Sequence, residues 1–107
     1  MTYEEAFVSL KNEFMKHSVS DVDGHFAYQF NLTGDCAGAF YAEVKDGIMY
    51  VEPYNYYDRD AEITASYETL MGLTKGEVDP VKAFFSGKIK VAGSTDKALK
   101  LINVLKK

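Results

Sequence analysis

The stretch from His25 to Glu52, HFAYQFNLTGDCAGAFYAEVKDGIMYVE, decides the fold. Phe26, Tyr28, Phe30 and Leu32 alternate with His25, Ala27, Gln29 and Asn31. A strand sends successive side chains to opposite faces, so this spacing predicts one apolar face and one wetter face. Thr33-Gly34-Asp35 reads as a turn. Gly38, Phe40, Ala42 and Val44 then alternate with Ala39, Tyr41, Glu43 and Lys45, which makes a second strand. Asp46-Gly47 separates it from a third strand, Ile48 to Glu52, ended by Pro53. An Asp-Gly pair between two β-prone runs is the strongest short-range hairpin signal, because both residues tolerate the positive φ of a two-residue turn. Consecutive strands joined by tight turns predict a mainly antiparallel sheet.

Outward from this meander, helices and short strands are predicted on both sides. Thr2 and Glu5 form a capping-box pattern, in which each side chain satisfies a free N–H at a helix start. Tyr3, Phe7, Leu10 and Phe14 follow at helical spacing, and the pattern fades after Lys16 into a polar loop. Beyond Pro53, the polar and aromatic run from Asn55 to Asp60 reads as a crossing loop, and Ala61 to Ala65 as a fourth strand. Ser66 can cap a short helix bearing Tyr67, Leu70 and Met71, which stops near Gly76. Asp79-Pro80 opens another, with Val81, Phe84 and Phe85 on one face and an end at Gly87. Lys88 to Ala92 alternates as a fifth strand. Ser94 caps a final helix whose apolar stripe is Ala98, Leu101, Ile102 and Leu105. The order α-βββ-β-α-α-β-α predicts an α/β fold of the α+β kind: a five-stranded, mainly antiparallel sheet with helices on one face.

The 107 residues suit a single domain, 1–107, and the 47% apolar fraction suits a globular core. The net charge of −4 argues against a nucleic-acid partner, since phosphate binding needs basic surface. A lone cysteine, Cys36, makes no intramolecular disulfide and points to a reducing compartment. No basic leader, no terminal Ser-Lys-Leu and no apolar run near the roughly 20 residues of a membrane helix is present. The expectation is a soluble, cytoplasmic domain.

Catalytic parts are scarce. A nucleophile needs a positioned base and a group to orient it. His17 falls in a loop at a helix end and His25 at a strand start, neither with a nucleophile or carboxylate at diagnostic spacing. Cys36 has no basic neighbour to lower its pKa. Asp58 and Asp60 flank Arg59, but a metal loop needs more oxygen ligands at regular spacing. Gly34, Gly38 and Gly47 do not stand between a strand and a helix as a phosphate loop requires. No catalytic residue, metal ligand or cofactor is predicted.

The stretch Gly76 to Gly93, GEVDPVKAFFSGKIKVAG, resembles the signature of the sterol carrier protein type-two family. The resemblance rests on Asp79 before Pro80, the pair Ala83-Phe84, Gly87-Lys88 and the strand ending at Gly93. Ala98-Leu99-Lys100-Leu101 is similar to that family's last helix, and Ile63-Thr64 and Leu70 to Leu73 to the elements upstream. From Asp60 to Leu105 the match holds in spacing as well as type. From Thr2 to Tyr57 it holds in element order and in Val44-Lys45-Asp46-Gly47. Two features depart from the family: the chain stops at Lys106-Lys107 without the extension some members carry, and the loop from Asn55 to Arg59 is unusually aromatic. The resemblance implies a sheet and helices enclosing a hydrophobic cavity or tunnel. It also implies non-enzymatic binding and transfer of apolar lipids: fatty acids, acyl thioesters, sterols or phospholipids.

On that footing some of the rings line a pocket. The expected wall is Phe26, Tyr28, Phe30 and Phe40 from the sheet, Phe7 and Leu10 from the first helix, and Leu70, Phe84, Phe85, Leu101 and Leu105 above them. Release would follow movement of a helix. The alternative is a protein-interaction or dimerisation module with a filled core, or an accessory domain serving a lipid-metabolising enzyme; the chain would be a monomer or a homodimer. Charge adds a last expectation. Residues 1–80 carry five basic and fifteen acidic side chains, whereas 81–107 carry seven lysines and one aspartate. Lys97, Lys100, Lys106 and Lys107 on the last helix would then make transient contact with an anionic membrane surface.

Overall fold

The computed structural model describes residues 1–20 and 22–106. Helix α1 spans Tyr3–Phe14, and three strands follow: β1 His25–Thr33, β2 Gly38–Lys45 and β3 Ile48–Glu52, with a 3-10 turn at Gly34–Cys36. Strand β4 Ala61–Ser66 leads directly into α2 Tyr67–Thr74, and α3 Pro80–Phe85, β5 Ile89–Gly93 and α4 Thr95–Lys106 complete the chain. The local signals act as their chemistry requires. Glu5 N–H donates to Thr2 Oγ1 while Thr2 N–H donates to Glu5 Oε1, closing the capping box of α1. Ser66 caps α2, and the Asp79 carboxylate accepts from the Val81 and Lys82 N–H groups at the start of α3. Asp46 and Gly47 take φ of 52° and 80°, the left-handed pair that a two-residue hairpin between Lys45 and Ile48 demands.

The sheet order is β3-β2-β1-β4-β5. Its neighbours pair antiparallel except at the centre, where β1 and β4 run parallel with Phe30 opposite Ile63. The parallel pair exists because the chain leaves β3 at one side and returns beyond β1, so the segment from Pro53 to Asp60 must cross the sheet. It crosses the outer face. Tyr56 N–H donates to Gln29 Oε1 at 3.2 Å, its hydroxyl donates to Glu43 Oε2 at 2.8 Å, and its ring meets Tyr41 edge-on at 5.1 Å. Asp60 closes the crossing, donating its N–H to Ala27 O and accepting the Ala27 N–H on Oδ2. Ala27 and Gln29 are therefore buried, although strand alternation assigns them to the wetter face. Crossing segments are invisible to a period-two pattern.

The inner face carries Tyr28, Phe30, Phe40, Ala42, Val44, Val51 and Ile63, covered by Phe7, Leu10 and Phe14 of α1, Leu70 and Leu73 of α2, and Leu101 and Leu105 of α4. Phe30 and Phe40 stack at 5.0 Å, and Phe14 and Phe7 close on them edge-on at 5.3 and 5.7 Å. Gly38 leaves room for the Tyr3 ring, which a Cβ there would strike. At the opposite end Gly93, with φ of 84°, lies against the Asp60 carbonyl, and Ser94 N–H donates to the same oxygen at 2.9 Å.

In α3, Val81, Phe84 and Phe85 share one face, as their spacing predicts, and the side that the helix buries carries Pro80 and Ala83. Phe85 is 81% exposed and Phe84 41%. Six residues over edge strand β5 give the helix one narrow contact, and the two small residues fit it.

Candidate functional site

The exposed side of α3 is one wall of an apolar groove of about 180 Å³. Val81, Phe84 and Phe85 supply that wall, Ile89 and Val91 of β5 the floor, and Ala98, Leu99 and Ile102 of α4 the far wall. Each element is positioned by a local device. Asp79 and Pro80 start α3, and Lys88 N–H donates to Ala83 O to turn the chain back into β5. Alternation in β5 sends Ile89 and Val91 to the helix side and Lys90 to the other. Ser94 accepts the Lys97 N–H and starts α4, whose Thr95, Ala98, Leu99 and Ile102 form one stripe at helical spacing. Thr95 brings the one hydroxyl to an otherwise apolar lining. Such a surface offers dispersion and desolvation to a ligand and almost nothing polar to orient it.

The structure brings Phe84 and Phe85 into this groove, with ring centroids 5.7 Å apart. Phe7, Leu10, Tyr28, Phe30, Phe40, Leu70, Leu101 and Leu105 instead stand buried in the core. Phe26 shares their face but sits half-buried at its margin, beneath the ammonium groups of Lys97 and Lys100 at 5.6 and 4.7 Å. Sequence reasoning passed over Val81, Ile89, Val91, Ala98, Leu99 and Ile102 as wall residues. The signal lay in α4: Ala98, Leu99, Leu101, Ile102, Val104 and Leu105 form an apolar arc wider than one buried face needs.

Lys97 is also held by Asp60, Nζ to Oδ1 at 2.9 Å, and Tyr28 hydroxyl donates to the Lys97 carbonyl at 2.8 Å. Burial pushes the Tyr28 hydroxyl far up, with the Asp60 charge adding to it. Burial alone would raise the Asp60 carboxyl, but hydrogen bonds from Lys97 and the Ala27 N–H outweigh it and hold the group below its ordinary value. Of the other two lysines expected to dock, Lys106 is described only as backbone of α4, and Lys107 lies outside the described residues.

His17 Nε2 lies 3.1 Å from Thr74 O, tying the end of α1 to α2. His25 and Tyr56 both bond Glu43 Oε2. Burial would raise Glu43, but those bonds bring it below the usual carboxylate range, while the Glu43 bond raises the Tyr56 hydroxyl. Cys36 is buried with Sγ directed at Met1 O. Among the described residues no group of three or more His, Cys, Asp or Glu could hold a metal, and no helix is long and apolar enough to cross a membrane.

The sequence profile of the SCP-2 sterol transfer family matches residues 7–106. Sterol carrier protein 2 of Oryctolagus cuniculus is 32% identical over 87 residues, which cover 80% of this chain and 16% of the relative. Hydroxysteroid dehydrogenase-like protein 2 of Bos taurus is 30% identical over 101 residues, 92% of this chain and 23% of the relative. The chain thus spans less than a quarter of each of these two proteins. Among solved structures, sterol carrier protein-2 of Aedes aegypti in complex with the C16 fatty acid palmitate superposes with a TM-score of 0.67 at 16% identity, covering 96% of this chain and 93% of that one.

Proposed function

The chain belongs to the SCP-2 sterol transfer family, and from that premise we propose that it binds an apolar lipid tail in the groove between α3, β5 and α4 and transfers it without covalent chemistry. The observation that carries the proposal is the lining of the groove, hydrocarbon on all three sides with a single hydroxyl. Each methylene taken from water contributes about 0.8 kcal/mol before ordering costs. Ten of them reach about 8 kcal/mol with no specific hydrogen bond, and what remains after the ordering costs is the affinity. Selectivity among tails is correspondingly broad.

The volume of about 180 Å³ holds only part of a long chain, since sites for whole drug-sized ligands run from about 300 Å³ upward. The remainder of the tail requires the groove to widen. Helix α3 is the element to move: it is six residues long and anchored by Pro80 and Ala83. Its displacement would widen the groove on the side of Val81, Phe84 and Phe85. Uptake and release are then the two directions of one helix movement.

Mass spectrometry of an organic extract of the purified chain, paired with displacement of a fluorescent fatty acid by palmitate, tests the proposal. The expected result is a co-purifying lipid, or saturable displacement at one site. A chain that takes up neither, or that turns over an acyl thioester on its own, overturns it.

A further inference from the structure

The groove opens beside a surface that a lipid pocket alone does not explain. Val81, Phe84, Phe85 and Leu99 are 55%, 41%, 81% and 40% exposed and adjoin one another around its mouth. A contiguous apolar patch of this kind, rimmed by polar groups, marks an interaction surface. The run from Val81 to Gly93 that supplies most of it contains Lys82, Lys88 and Lys90 and no acidic residue, in a chain of net charge −4. All three lysines are exposed. Lys82 and Lys88 border a shallow depression that Glu77 and Asp79 also line, and Asp79 is turned to the N–H groups of the helix.

We infer that α3 and the start of β5 dock on an anionic lipid bilayer, with Phe84 and Phe85 inserted at headgroup depth and Lys82 and Lys88 meeting the anionic headgroups. Aromatic rings favour that depth, and lysine stems lie along apolar surface while their ammonium groups reach charge. Either signal alone gives only marginal binding, and the two together hold the chain more firmly. A second copy of this chain fits the face less well, because a two-fold contact brings the same face against itself and the run from Val81 to Gly93 offers Lys82 and Lys88 no carboxylate. The lysines of α4 are less suited, since Lys97 is held by Asp60 and Lys100 lies over Phe26. The inference rests on the lipid-carrier reading and deepens it: the groove opens on the docking face, so a tail passes between bilayer and groove without crossing water.

The test is co-sedimentation of the full chain with phosphatidylcholine vesicles, with and without phosphatidylserine, beside a vesicle-free fatty-acid titration. The chain is expected to partition onto the phosphatidylserine vesicles and to leave them as salt is raised. The pair K82Q/K88Q should weaken that partition by at least about tenfold and flatten its salt dependence, while fatty-acid binding in the absence of vesicles is unchanged. F85S should weaken it at every salt concentration, and K90Q, which projects from the other face of β5, by less than either. Equal partition of all these variants overturns the inference. So does a chain that ignores both vesicles and is dimeric until F85S makes it monomeric, which assigns the face to a second copy. Loss of the fatty-acid titration with vesicle partition retained would sink the carrier reading and leave the docking face standing.

Discussion

Two regions of this molecule are built from the same residue types and end in opposite states. Under α1, Phe7 and Phe14 close on the stacked pair Phe30 and Phe40, and every ring is buried. Under α3, Phe84 and Phe85 touch each other and leave a gap toward β5 and α4. The difference lies in the covering element. Helix α1 has twelve residues and lays Phe7, Leu10 and Phe14 over β1 and β2, whereas α3 has six and packs on edge strand β5. Aromatic content reports how much apolar surface a chain carries. The reach of the helix above decides whether that surface becomes core or site.

The sharpest way to break this contrast is to remove a ring from each region. Phe40→Ala should cost about 3–5 kcal/mol, the range for a fully buried Phe, whereas Phe85→Ala should stay within about 0.5 kcal/mol; urea titration measures both. Equal costs would mean that the α3 rings are core after all. Adding bulk is the next probe. Leu101→Trp overpacks a buried position of α4 and should lose about 1–3 kcal/mol. Leu99→Trp, two residues earlier and 40% exposed, should leave the melting temperature nearly unchanged while weakening fatty-acid binding about tenfold, the burial of roughly two methylenes. If Leu99→Trp binds as wild type, the groove is not where the tail lies.

The smallest effect concerns the seam between the regions. Asp60, held by Lys97 and the Ala27 N–H, has its carboxyl lowered from 3.8. A carboxyl lowered on folding stabilises the native state above its unfolded value, and that contribution fades as pH falls through 3.8 toward the folded value. Asp60→Asn should therefore lower stability slightly at neutral pH and make the acid limb of a stability–pH curve shallower. An acid limb unchanged in the variant would mean that the pairing contributes nothing.

The sheet was legible because alternation is a direct imprint of strand geometry. From His25 to Glu52 the expected strand limits agree with the observed ones to within a residue. The caps at Thr2, Ser66, Asp79 and Ser94 were legible because each is a short-range bond between a side chain and nearby N–H groups. Burial was less so. Gln29 shows nothing of Tyr56, twenty-seven residues away, which covers it. Phe84 and Phe85 show that they share a helix face but not that the face overhangs an edge strand. The groove depends on where three elements stop short of one another, and no single element encodes that.

The central parallel pair carries a consequence for how the chain reaches this state. Strands β1, β2 and β3 meet through tight turns, so their contacts close short loops. Strand β4 joins β1 with Tyr28 opposite Ala61, thirty-three residues apart, and β5 can add only after β4 is placed. Closing the longer loop costs more chain entropy before any contact repays it. The meander should therefore be the earlier structure on the folding path, with φ-values higher at Val44 than at Ile63. The side that carries the groove between α3, β5 and α4 would then be the last to assemble.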